Sequence, residues 1–154
     1  MQLNNRAKQL ALENATHGTA VIAMQQTAGQ GRLGRSFFSH RAKVIYLSII
    51  IKPSFALSTA VLVTAAAAVA VAQAIENVCG KQARIKWVND VYLDGKKICG
   101  TLTEGISDFE TGHIESLVIG IGVNTSVKDF PDELRDTVGA VDGDYSKAQL
   151  SRPK

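Results

Sequence analysis

The chain has 154 residues, 45% of them hydrophobic, which is room for one domain burying roughly two thirds of the surface its unfolded chain exposes. Net charge is only +3, and the basic residues gather at Arg32, Arg35, Arg41 and Lys43 and again at Lys81, Arg84, Lys86, Lys96 and Lys97. That suits a small polyanion better than the broad basic face a nucleic-acid backbone calls for.

A first helix is expected with Asn4 or Asn5 as its cap, Leu3, Ala7, Leu10 and Ala11 on one face, and Asn14 to Gly18 as its end. Ala20 to Gln26 reads as a strand. The connector after it holds Gly29, Gly31 and Gly34 with Arg32 and Arg35. Glycines let the backbone expose successive N–H groups close to a ligand, and arginine adds a planar charged fork, so this connector is built to hold an anion. Tyr46 to Lys52 is a β-branched run stopped by Pro53, consistent with a central strand.

Ser58 or Thr59 then opens an alanine-rich helix that is apolar around nearly its whole circumference, with Gly80 as its stop. Its continuous apolar part is shorter than the ~20 residues a bilayer core needs and carries Thr64 and Gln73, so it reads as a buried helix rather than a membrane span. Arg84 to Trp87, Val91 to Leu93 and Lys97 to Glu104 follow as short strands. Asp94-Gly95 joins the last two as a tight hairpin turn, and Glu115 to Val123 is a final strand. These elements predict a single α+β domain over residues 1–154, with a mixed, largely antiparallel sheet and helices packed on it. Cys79 and Cys99 have no metal or disulfide spacing and read as free thiols in a cytoplasmic protein. His17, His40 and His113 have no sequence partners and read as surface residues.

Three blocks add to the glycine-rich connector: Lys86-Trp87-Val88-Asn89-Asp90, Lys97-Ile98-Cys99-Gly100 with Glu104, and Val118-Ile119-Gly120-Ile121-Gly122-Val123-Asn124. Together they resemble the catalytic domain of biotin protein ligases from about Asn4 to about Leu134. The resemblance implies ATP, Mg2+ and biotin as reactants with no tightly bound prosthetic group. It also implies a biotinyl-5′-AMP intermediate and, as partner, the carrier domain of a biotin-dependent carboxylase. Catalytic roles fall to Lys97, Arg32 and Asp90. Biotin contacts fall to Gln26, Gln30, Gly31, Arg32, Lys97 and Gly100, with Gln26 at the ureido ring. Nucleotide contacts fall to Gly29, Gly34, Arg35, Phe37, Asn89 and Asn124. Asp90 is also the Mg2+ candidate, and Glu104 supports the groups that touch ligand. Lys97 carries most of the chemistry in this reading, since a fixed ammonium beside the reacting carboxylate neutralises charge growing on phosphorus. Alternation along the strand sends its neighbour Lys96 to the opposite face.

The chain departs from the family pattern at several points. Gln30 stands where arginine is usual, Phe37 where tryptophan commonly stacks on adenine, and Val88 where the family has proline. Relatives carry Asp-Ser-Thr-Asn before the first helix, with serine and threonine on biotin; the aligned residues are Gln2, Leu3 and Asn4. The chain reads as a core shortened at both ends, with neither a DNA-binding helix-turn-helix nor a complete C-terminal β-barrel, so no DNA and no membrane partner is expected. Relatives often pair through a sheet edge, which makes Glu115 to Val123 the candidate edge for a homodimer. Two other readings stand beside ligation: a non-catalytic or weakened module that holds biotin or biotinyl-AMP, and a lipoate ligase or octanoyl transferase. The second is disfavoured, because this chain does not contain the Arg-Arg-x-Ser-Gly-Gly-Gly loop typical of lipoate ligases.

Overall fold

The structure is a computed structural model that describes residues 2–27, 29, 31, 43–54, 60–107, 113–127 and 130–141. In chain order these form α1 (Leu3–Leu12), β1 (Ala20–Ala23), β2 (Val44–Ile51), α2 (Ala60–Cys79), β3 (Arg84–Lys86), β4 (Asp90–Leu93), β5 (Lys96–Ser107) and β6 (Ile114–Asn124). The strands make one sheet in the order β1-β2-β6-β5-β4-β3. Each neighbouring pair of strands is antiparallel, and the mixed character reduces to one parallel bridge between Lys97 and Val138.

The two helices lie on opposite faces of this sheet. Successive side chains on a strand point to opposite sides, and on β6 Gly120 lies against Asn4 of α1 whereas Ile121 packs into the cluster around α2. On the α1 side, Leu3 meets Val44 and Tyr46, and Ala7 and Ala11 meet Ile50 and Val118. On the α2 side, Ala68 and Ile75 pack with Val91, Leu93, Ile98 and Cys99. The predicted turn between β4 and β5 forms as expected, with Asp94 at φ 50° and Gly95 at φ 78°, the left-handed pair that a two-residue hairpin requires. Gly80, at φ 66°, ends α2 as expected.

Four expectations need correction. Neither Asn4 nor Asn5 caps α1, because the helix already begins at Leu3 with Gln2 as its cap residue. Asn4 instead turns its amide down onto the sheet. The first strand stops at Ala23 rather than Gln26, since pairing with β2 ends at Ala23–Tyr46 and Gln26 turns back towards α1. The alanine-rich helix is not buried all round: Val61, Leu62, Val69 and Val78 on its outer face are exposed, because α2 lies on the outside of the sheet. It is long and apolar enough to cross a membrane, yet Ala68 and Ile75 make it a core helix on its inner face. Finally, the last strand is not an edge. β6 lies between β2 and β5 and is paired on both sides, and among the described residues the outer strands are β1 and β3. The predicted helix openers, Ser58 and Thr59, lie outside the described residues.

Candidate active site

A cleft of about 510 Å3, counting its open mouth, lies on the α1 face of the sheet at the start of that helix. Its floor is thin because three glycines meet there: Gly100 on β5 pairs with Gly122 on β6, and Gly120 sits two residues along. Without side chains, these positions let a ligand approach the sheet backbone itself. Gln2, Leu3 and Asn4 form one wall, Gln26 and Gly31 approach from the connector, and Asn89 and Lys97 close the far side.

The wall built by α1 is held by a buried polar relay. Asn4 Nδ2 donates to Glu104 Oε2 at 2.7 Å, and Ser48 Oγ donates to Asn4 Oδ1 at 2.6 Å. Lys8 pairs with the other oxygen of Glu104. Burying Asn4 and Ser48 is affordable only because these polar atoms find partners. The start of the helix is tied from the connector side, where Leu3 N donates to Gln26 Oε1 at 2.9 Å. Gln26, expected at a ligand ring, thus also satisfies one of the amides that a helix start leaves unpaired.

Lys97 and Asp90 face each other across the β4–β5 ladder, with Nζ 2.7 Å from Oδ1. That oxygen is sealed from solvent and accepts no well-aligned hydrogen bond, so charge rather than a directed bond holds the pair. The space above Gly100 is filled by Lys97 itself. A Cβ at Gly100 would lie 3.3 Å from Lys97 Cε and 3.4 Å from Nζ. Glycine therefore clears a lane along which the ammonium reaches the cleft. Lys96 leaves by the other side and donates to Arg135 O, as alternation predicts. The Asn89 turn is secured from β5: Thr101 N and Thr101 Oγ1 both donate to Asn89 O, at 2.9 and 3.2 Å, and Asn89 Nδ2 donates to Thr101 O at 3.2 Å. These bonds serve where the family pattern has proline and this chain has Val88. Cys99, buried beneath the pair, has its thiol pushed up to about 12, chiefly by burial, with Lys97 pulling the other way and Asp90 adding to the rise.

The cleft thus brings together Gln26, Gly31, Asn89, Lys97 and Gly100 of the expected set, with Asp90 beside it as counter-ion to Lys97. Gly29 is described but does not line the cleft. Asn124, expected at the nucleotide, does not line the cleft; it is buried and donates through Nδ2 to Gly139 O at 3.0 Å. Gln30, Arg32, Gly34, Arg35 and Phe37 lie outside the described residues. For Mg2+ the residues do not form a cage. Among the described residues no three His, Cys, Asp or Glu converge, and the Asp90 oxygen is already met by an ammonium. A magnesium ion accompanying ATP is ordinarily held largely by the phosphates. Sequence reasoning missed Asn4, Ser48 and the paired floor of Gly100 and Gly122. The signals were a lone serine inside the β-branched run of β2 and two glycines at alternate positions of β6.

Comparison with known proteins agrees with this fold. The biotin/lipoate A/B protein ligase family matches residues 2–124. The bifunctional ligase/repressor BirA of Bacillus subtilis is 44% identical over 132 residues, which are 84% of this chain and 40% of that protein. The biotin–[acetyl-CoA-carboxylase] ligase of Paracoccus denitrificans is 34% identical over 79% of this chain and 50% of its own length. The chain therefore spans half or less of these relatives. Among solved structures, the biotin protein ligase of Aquifex aeolicus in complex with biotin and ATP superposes with a TM-score of 0.74 at 32% identity, covering 94% of this chain and 56% of that one. The Leishmania major enzyme bound to biotinyl-5-AMP shares the fold at a TM-score of 0.75 and 24% identity, over 91% of this chain and 59% of that one. On the family match and these relatives, the chain belongs to the biotin/lipoate A/B protein ligase family.

Proposed function

We propose that this domain joins biotin to a lysine of a carboxylase carrier domain in two steps, using ATP. In the first, a biotin carboxylate oxygen attacks the α-phosphorus of ATP, the bond to the bridging oxygen breaks, and pyrophosphate leaves. In the second, the carrier lysine's amine attacks the acyl carbon of biotinyl-5′-AMP, loses a proton as the amide forms, and AMP leaves. The observation that carries this reading is the Lys97 ammonium, held by Asp90 beside the glycine floor of the cleft. A preorganised cation there neutralises charge developing on the carboxylate and phosphoryl oxygens. Gln26, Gly31 and Gly100 take the biotin side, and Asn89 takes the nucleotide side. Arg32 and Gln30 supply the connector's contacts to the acyl-phosphate, while Gly29, Gly34, Arg35 and Phe37 complete the nucleotide's surroundings. The names of the relatives and the ligands of the Aquifex structure support the same substrates.

Biotin-dependent exchange of labelled pyrophosphate into ATP tests the first step, and labelling of a carrier domain tests the second. A second reading, retention of biotin without transfer, is favoured by Gln2 and Leu3. They line the cleft where the family pattern places hydroxyls. Exchange without carrier labelling identifies that case, and exchange that responds to lipoate rather than biotin identifies the lipoate branch of the family. A cytoplasmic setting and a homodimer belong to the same proposal.

A further inference from the structure

β6 stops being a partner for β5 just where Lys97 begins. The β5–β6 ladder runs from Cys99–Val123 to Ser107–Ile114, so Lys97 lies two residues beyond its end. On that side its backbone N–H and C=O would have no strand to meet, and a half-buried strand end leaves such groups poorly satisfied. A different part of the chain fills the gap. Residues 130–141 fold back over the end of β6 as a strap, anchored in the core by Phe130, Leu134, Val138 and Val141. Lys97 N donates to Thr137 O at 2.9 Å, and Gly139 N donates to Lys97 O at 2.9 Å, which makes Val138 the parallel neighbour of Lys97. Lys97 is therefore paired on both sides, with Tyr92 on β4 and with the strap. The same strap takes the Asn124 amide through Gly139 O, and Val141 N returns a bond to Asn124 O at 2.8 Å.

Gly139 is where the strap passes closest to β5. A Cβ built on it would lie 2.9 Å from Lys96 Cβ, an atom fixed to the backbone that has no rotamer by which to move away. We propose that Gly139 is a positioning residue for Lys97: only glycine lets the strap close against β5, and that closure fixes the lysine backbone from which the ammonium reaches over Gly100. The inference rests on the ligase reading for its kinetic consequence. Its structural half, that the strap holds Lys97, stands on the bonds alone.

The test uses the whole chain and two readouts. In the native protein the amides of Lys97 and Gly139 exchange with solvent deuterium as slowly as those in the middle of β5. In Gly139→Ala the Lys97 amide loses protection, and kcat for biotin-dependent pyrophosphate exchange falls roughly ten- to a hundredfold, the size of loss an ångström-scale misplacement produces, while the KM for biotin stays within about twofold. Replacing Lys96 by glycine removes the colliding Cβ, so Lys96→Gly added to Gly139→Ala restores both Lys97 protection and kcat. A Lys97 amide that exchanges freely in the native chain overturns the proposal, as does a Gly139→Ala variant with unchanged kcat, or a loss that Lys96→Gly does not rescue. Should Gly139→Ala fail to fold, the native amide protection and folding of the double variant decide the matter. Should the native chain show no exchange activity, the ligase reading falls, and Lys97 protection across the same variants still judges the strap.

Discussion

Asn4 on α1 and Gly120 on β6 are fitted to one another so closely that a Cβ on the glycine would lie 2.7 Å from Asn4 Nδ2. Only the bare backbone at Gly120 lets the amide lie on the sheet, where it meets Ser48 and Glu104. The fit is what fixes the start of α1 as a wall of the cleft. Gly120→Ala is expected to lower unfolding free energy by about 1–3 kcal/mol, the usual range for overpacking a filled site. In an Asn4→Ala background the same change should cost clearly less, since the two residues share one space. Urea denaturation of the four chains checks this, and additive losses would mean that the residues do not meet.

Lys97→Ala is expected to slow adenylation by about a hundredfold, equivalent to about 3 kcal/mol of transition-state stabilisation from one preorganised charge. Lys96→Ala, which removes an exposed contact to Arg135 O, should change the rate little. The structure adds a consequence for folding. Removing Lys97 strands the solvent-sealed Asp90 oxygen, so Lys97→Ala also destabilises the chain, and adding Asp90→Asn recovers part of that stability without recovering the rate. Single-turnover biotinylation beside thermal denaturation separates the two effects. Equal rates for the Lys96 and Lys97 variants would remove Lys97 from the chemistry.

What could be read from the sequence was local. Asp94-Gly95 announced its turn because both residues tolerate positive φ, and the opposed directions of Lys96 and Lys97 followed from strand alternation. The Lys97-to-Gly100 spacing carried a motif whose residues do meet, since the glycine clears the lysine's path. What could not be read was long-range. Asn4 and Glu104 are a hundred positions apart, and nothing in either neighbourhood announces the other. Sheet order was hidden for the same reason: the apolar pattern of β6 fits an edge or a centre, and only its pairing with both β2 and β5 decides. The strap carries no strand-like pattern, yet it completes the sheet at Lys97. The Asn124 amide helps to hold that strap, a contact that its motif does not announce.

The two thiols should behave differently. Cys99 is buried and its thiol pushed up to about 12, whereas Cys79 is partly accessible. Alkylation by iodoacetamide under native conditions at pH 8 should modify Cys79 well before Cys99, as peptide mass mapping would reveal. The sign of the stability effect follows from the proton count. The folded state holds the Cys99 proton more tightly than the unfolded state, whose thiol titrates near 9.0. This contribution is thus full below pH 9 and declines as pH rises towards 12. Cys99→Ala should flatten the fall in unfolding free energy over that window, and an unchanged slope would mean that the thiol is not the group responsible.

The wall of the cleft at Gln2 and Leu3 gives the last prediction, because there the chain replaces two expected hydroxyls with an amide and an alkyl group. Both positions line the cleft. Leu3 spends its side chain on Val44 and Tyr46, while its backbone N–H bonds to Gln26, a contact that survives a change of side chain. Introducing Gln2→Ser and Leu3→Thr therefore keeps the helix tie and offers two new donors to a polar ring. Each well-formed bond adds about 1 kcal/mol, so biotin should bind roughly five- to tenfold more tightly per bond formed. Losing the leucine's apolar contacts offsets this in the fold by about 1–3 kcal/mol of stability. Calorimetric titration of biotin into the native and doubly substituted chains measures the gain, with thermal denaturation measuring the loss. Tighter binding with a lower Tm is the expected pair of results. No change in affinity would mean that biotin's polar ring is met elsewhere, with Gln26, bonded to Leu3 N, as the residue to vary next.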